Sequence, residues 1–157
     1  MISAIVAVSP DWGIGCGDEL LYRNSFDMGF FCGLTQGHAV VAGKRTADLI
    51  PNLPNRRLWI LGKPAWELLS RDDEAVEEVV LELFGNAIVI GGGKTYKLFA
   101  PYVDQIYVTH FFNPPEKQAD VFFPIEDYPW IVPEKGVKIV SNKEFEIVLY
   151  RRNKDGI

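Results

Sequence analysis

No apolar run in the 157 residues is long enough to span a bilayer. The stretch Met1 to Val8 lacks the basic start of a signal peptide, so a soluble, cytoplasmic protein is expected. Cysteine and histidine are scarce. Cys16 and Cys32, with only His38 and His110 to help them, have neither metal-ligand spacing nor a paired framework. Both thiols are therefore expected to be reduced, and no metal is expected. Positive charge is also in deficit: 16 Lys and Arg against 21 Asp and Glu leave a formal charge of −5, which argues against a nucleic-acid partner. A local basic patch for a small anion remains compatible. Low-complexity tracts and internal repeats are absent, and 48% of residues are apolar, which excludes a disordered chain. A chain of this length with no composition break is expected to form a single domain over residues 1–157 with a continuous core.

What is present is organised around Ala87-Ile88-Val89-Ile90-Gly91-Gly92-Gly93-Lys94-Thr95-Tyr96. A continuous β-branched run reads as a central parallel strand covered on both faces. The three glycines at its carboxyl end let another group approach bare main chain. A helix starting near Gly93 would turn unpaired amide groups outward, an anion site to which Lys94 adds charge. A tight strand-to-helix turn with no ligand is the alternative.

Residues 2 to 8 read as a core strand. Ser9 to Asn24 follows as a long irregular segment of the kind that serves as a lid or binding loop. Its Gly13, Gly15 and Gly17 imitate a dinucleotide fingerprint, but the third spacing is wrong and no helix follows directly. Ser25 suits the N-cap of a helix through about Leu34. One helical turn separates Asp27 from Phe31, so carboxylate and ring share a face. Such an Asp is either a helix-dipole partner or a desolvated acid able to hold a proton.

His38 to Ala42 is a second core strand, ending in Gly43-Lys44-Arg45-Thr46 before the helical run Ala47 to Ile50. A third strand, Leu58 to Leu61, ends in Gly62-Lys63. Three strands thus finish in glycine with lysine nearby, and ligands in open α/β sheets sit outside the carboxyl ends of the strands. Asp73 to Phe84 is patterned as an amphipathic surface helix with a solvated acidic face. A short helix ends before Pro101, and Asp104 to Phe111 alternates as a strand. Strand character continues through Phe122-Phe123-Pro124 and Glu144 to Arg152. The fold expected is α/β, a mixed, mainly parallel central sheet with flanking helices and an antiparallel C-terminal strand.

Several of these residues together resemble bacterial-type dihydrofolate reductase. They are Met1-Ile2-Ser3, Ala7, Ile14-Gly15, Asp27 with Phe31, Gly43 with Thr46, Leu53-Pro54-x-Arg56, Ile90-Gly91-Gly92-Gly93, Tyr96, Tyr107-Val108-Thr109-His110, Asp120 with Phe123-Pro124, and Phe145-Glu146. Each motif alone is weak, but their order and spacing cover nearly the whole chain.

The resemblance implies a monomeric, NADPH-dependent enzyme that reduces 7,8-dihydrofolate, with hydride going to C6 and a proton to N5. It implies that Asp27 meets the pterin and that Thr109 orients its carboxylate. Ile5, Ala7, Met28, Phe31, Ile50 and Leu53 would form the apolar walls, and Arg56 would hold the glutamate tail. The nicotinamide would lie against Ala7, Ile14, Gly15, Ile90 and Tyr96. The phosphates would meet Gly43, Lys44, Arg45 and Thr46, then Leu61, Gly62 and Lys63, and finally Gly92, Gly93, Lys94 and Thr95. The cations at adjacent strand ends, Lys44, Arg45 and Lys63, favour NADPH over NADH through its extra phosphate.

Three departures stand out, one being Gly62-Lys63 in place of the family's hydroxyl pair after the third parallel strand, which alters how the 2′-phosphate would be held without removing positive charge. Leu21-Tyr22 replaces the family's usual Pro-Trp, whose tryptophan helps hold a water near the pterin; Tyr22 keeps a ring and gains a hydroxyl, leaving open whether the water is kept, moved or replaced. The segment from Pro64 to Asp72 matches poorly, so the strand common there is in question. The related pyrimidine reductase of riboflavin synthesis, and a non-catalytic cofactor- or folate-binding assembly component, stay open as alternatives. Asp27 with Phe31 and the L-P-x-R turn favour folate over the first.

Overall fold

The computed structural model describes residues 1–17, 19–49, 56–61 and 86–152. Among them, in chain order, lie β1 (Ile2–Val8), β2 (Gly13–Cys16), β3 (Glu19–Leu20), α1 (Ser25–Thr35), β4 (Ala39–Gly43), α2 (Lys44–Leu49), β5 (Arg57–Leu61), β6 (Ala87–Gly91), α3 (Gly93–Phe99), β7 (Gln105–Phe111), β8 (Val121–Phe122), β9 (Val137–Ser141) and β10 (Phe145–Arg151). The main sheet runs β5-β4-β6-β1-β7-β10-β9. Its first five strands are parallel, and β10 and β9 extend it in antiparallel fashion. The mixed, mainly parallel sheet expected from the pattern is what the chain forms.

Burial follows from that order. Every residue of β4 and of β6 is buried, as continuous apolar strands in the middle of a parallel sheet must be. On β1 the period of two divides the core: Ile2, Ala4, Val6 and Val8 pack with Tyr96 and Phe99 of α3, whereas Ile5 packs with Phe30, Phe31 and Leu34 of α1. Helices α1 and α3 therefore cover opposite faces. The chain leaves β1 toward β4 through α1 and leaves β6 toward β7 through α3, so the connections from these adjacent strands turn to opposite faces beyond their carboxyl ends. A crevice at such a reversal is where open α/β sheets bind ligands.

Several local expectations need correction. Asn24, not Ser25, caps α1, because its Oδ1 accepts from the Asp27 amide at 3.0 Å, and Ser25 becomes the first helical residue. The segment 9–24 is not irregular throughout. β2 and β3 form a small sheet with β8, and Gly17, at φ +58°, makes the turn between β2 and β3. β9 was not expected as a separate strand, since this edge strand leaves Val137 and Ile139 exposed and shows no clear inward face. The helix expected over Asp73 to Phe84 and the strand in question between Pro64 and Asp72 lie outside the described residues. Among the described residues, no helix is long and apolar enough to cross a membrane.

Candidate functional site

Asp27 sits in the first turn of α1 with both its backbone and its side chain bound. Its amide goes to the Asn24 cap, and its Oδ1 accepts from the Thr109 hydroxyl at 2.6 Å. Thr109 is buried on β7, in register with Ala7 on β1, so the carboxylate is anchored to the middle of the sheet. Burial pushes the Asp27 pKa up from the ordinary carboxylate range, and the Thr109 hydrogen bond, which favours the charged form, offsets part of the rise. A carboxyl balanced in this way can hold a proton closer to neutrality than a surface Asp can.

The apolar surroundings come from the same elements. Ile5 is buried beneath Phe30 and Phe31, Phe30 meets Tyr107 edge-on at 5.9 Å, and Met28 stays exposed. Arg56 is drawn to the end of α1. Its Nε donates to Thr35 Oγ1 at 2.9 Å, and a terminal nitrogen donates to the Cys32 carbonyl, which fixes the plane of the guanidinium. Ile50 and Leu53 lie outside the described residues.

The strand ends of β4 and β6 meet at their glycines. A Cβ on Gly92 would lie 3.2 Å from Thr46 Oγ1 in α2. One on Gly93 would lie 3.2 Å from the Phe122 carbonyl and 3.9 Å from Ile14 Cδ1. The starts of α2 and α3 thus approach each other at Thr46 and Gly92, and β2 reaches Gly93 through Ile14. Gly91, at φ +118°, is in a conformation that a side chain would strain. The Thr95 hydroxyl is buried with no hydrogen-bond partner among the described residues. Lys44, Arg45 and Lys94 begin α2 and α3, and Ile90 ends the buried run of β6. Leu61 closes β5 by its backbone, and Gly62 and Lys63 lie outside the described residues.

Two further residues are engaged within the fold itself. Tyr96 is only 3% exposed, and its hydroxyl donates to the Ile5 carbonyl at 2.6 Å, which makes it an internal strut between α3 and β1 more than an open ligand wall. Tyr22 stacks on Phe111, with ring centres 4.0 Å apart, and its hydroxyl donates to the Asn113 carbonyl at 2.6 Å. That proton is committed to the backbone beyond β7, so Tyr22 ties the loop to the sheet.

Spacing alone gave no role to the anchoring of the loop. Both Asp120 carboxylate oxygens accept from the Gly17 amide at 3.0 Å, the Asp120 amide donates to the Gly15 carbonyl at 3.0 Å, and Lys117 pairs with Glu19. An aspartate 103 residues from its partner leaves no local signature in the sequence.

A sequence model of the dihydrofolate reductase family matches residues 1–152. The chain belongs to the dihydrofolate reductase family. Among relatives, it is 31% identical over 161 residues to the dihydrofolate reductase of Staphylococcus haemolyticus, covering 96% of this chain and 95% of that protein. It is 32% identical over 136 residues to that of Mycobacterium tuberculosis H37Rv, covering 83% and 84%. Its fold is similar to that of the dihydrofolate reductase of Enterococcus faecalis solved with NADP(H) and RAB-propyl, at a TM-score of 0.73 and 22% identity over 98% of this chain and 97% of that one.

Proposed function

We propose that the protein catalyses NADPH-dependent reduction of 7,8-dihydrofolate to 5,6,7,8-tetrahydrofolate. The observation that carries the reading is the desolvated Asp27 carboxyl, bonded to Thr109, in a chain of this family. NADPH supplies the hydride when bound, and the residues present fit it. Gly92 and Gly93 leave bare main chain where a Cβ would crowd its neighbours, and Thr95 keeps a buried hydroxyl without a partner among the described residues. Gly43 to Thr46 and Gly92 to Thr95 would hold the phosphates, with amide groups at two helix starts and the charges of Lys44, Arg45 and Lys94. Those charges support NADPH over NADH.

Ala7, Ile14 and Ile90 bound the nicotinamide side, and Ile5, Met28 and Phe31 bound the pterin side. Asp27 hydrogen-bonds the pterin and, through its raised pKa, favours protonation at the reacting ring. Thr109 positions that carboxylate. Arg56, oriented by Thr35 and Cys32, presents a planar fork to the glutamate carboxylate. The product serves one-carbon metabolism, and the two free cysteines accord with a reducing, cytoplasmic setting.

The test is absorbance-monitored NADPH oxidation with and without dihydrofolate. Oxidation that depends on dihydrofolate and falls sharply in Asp27→Asn is expected. NADPH loss at the same rate without substrate, or no turnover at all, would remove the proposal.

A further inference from the structure

Successive residues on a strand point to opposite faces, so while Thr109 turns to Asp27, His110 turns to the other side of the sheet. A cavity of about 340 Å³ lies there. Glu146 of β10 is the register partner of His110, and Tyr150, on the same face, shares a 2.8 Å hydrogen bond between its hydroxyl and His110 Nε2. Trp12, carried over by the turn from Ser9 to Gly13, meets the His110 ring edge-on at 5.4 Å. Phe112 and Pro133 complete the wall.

The chemistry of this lining points one way. Trp12, Tyr150 and Phe112 contribute aromatic surface, whose negative faces attract cations. Glu146 contributes a carboxylate. Among the described residues that line the cavity, none is lysine or arginine. His110, the one basic group in the lining, has its pKa lowered by burial, although Glu146 opposes the effect. An ammonium is already drawn to this carboxylate: Lys138 Nζ lies 3.2 Å from Glu146 Oε2, and the lysine side chain is 67% exposed. The Glu146 side chain is only 22% exposed, but the lysine end of the pair stands in solvent, where ordering a long side chain offsets much of the attraction, so an incoming ammonium can displace it. The space is an open groove, with room for a single ring and a short arm laid against its wall.

We propose that this cavity binds a small organic monocation, an ammonium on a single-ring apolar carrier, with the charge at Glu146 and the ring among Trp12, Phe112 and Tyr150. The site lies across the sheet from Asp27 and does not depend on the reductase reading.

The experiment is calorimetric and NMR titration of the full chain with phenethylammonium and with its neutral isostere 2-phenylethanol. Saturable one-to-one binding of the ammonium is expected, with the alcohol about tenfold weaker or undetectable. Glu146→Gln is expected to weaken the ammonium to a similar degree. Lys138→Ala removes the competing cation and is expected to tighten binding about threefold, which keeps the test open should the first variant fold poorly. Equal binding of the alcohol, full affinity in Glu146→Gln, or no gain in Lys138→Ala would each overturn the proposal.

Discussion

The Thr109 hydroxyl donates to Asp27 Oδ1 across 2.6 Å, joining the centre of the sheet to the first turn of α1. Because this bond favours the ionised carboxylate, Thr109→Val should raise the Asp27 pKa beyond the rise that burial already causes. The pH profile of single-turnover reduction should move upward, and stability should fall by about 0.5–1.5 kcal/mol as a part-buried acceptor loses its donor. Thr109→Ser should restore both. An unmoved profile in the valine variant would mean that the bond does not tune the acid.

Asp27→Asn separates function from stability. The folded carboxyl has a pKa above its unfolded value, so the fold disfavours the charged form. That penalty is absent below about pH 3.9, the unfolded value, and reaches its full size above the folded pKa. The amide variant should therefore be more stable than the parent near neutral pH, with the gap closing in acid, as read by denaturant unfolding at both ends. Hydride transfer should drop by roughly 10²–10⁴. A variant less stable at neutral pH would show that the carboxylate is better solvated than its burial implies.

The two cradle glycines should respond differently to alanine. At Gly93 the new Cβ meets the Phe122 carbonyl at 3.2 Å and Val121 Cγ1 at 3.3 Å, so either the start of α3 or β8 must move. At Gly92 it meets only the Thr46 hydroxyl, also at 3.2 Å, which belongs to a side chain able to turn. Gly93→Ala should raise the Kd for NADPH by about tenfold and exceed the effect of Gly92→Ala, since main chain must give by a few tenths of an ångström at a site where positioning counts. Fluorescence titration of both variants decides it, and the reverse order would count against the cradle.

Tyr22→Phe removes one hydrogen bond and leaves the stack on Phe111. The loss should be about 0.5–1.5 kcal/mol in stability, with KM for dihydrofolate rising more than kcat falls. The pH profile of reduction should stay where it is, because the hydroxyl proton is held by the Asn113 carbonyl. A shifted profile would instead give Tyr22 a part in proton delivery.

Strong periodicity was easy to read. β1, β4, β6 and β7 fell within a residue or two of their expected bounds, because continuous or alternating apolar runs leave few other ways to bury a strand. Asp27 was legible as a first-turn acid beside Phe31, and Thr109 as its orienter, but only through the resemblance, since 82 residues separate them. The cap slipped by one position because Asn24 and Ser25 are both good N-caps, and only the reach of the amide to Asp27 decides between them. The edge strand β9 and the anchoring of the loop by Asp120 escaped notice for a shared reason. Both depend on partners that the chain folds next to them: the short alternation of Val137 and Ile139 in β9 stays exposed at the sheet edge, and Asp120 meets Gly17 from 103 residues away.

The strand order carries a consequence for how the site is made. All seven residues of β10 pair with β7, Ile147 lying beside Thr109, so the support behind the acid's partner comes from the last of the described strands. During synthesis, the segments bearing Asp27 and the triple glycine leave the ribosome well before that support exists. A chain arrested before Phe145 would carry Asp27, Thr109 and both glycine turns and still leave one side of β7 bare.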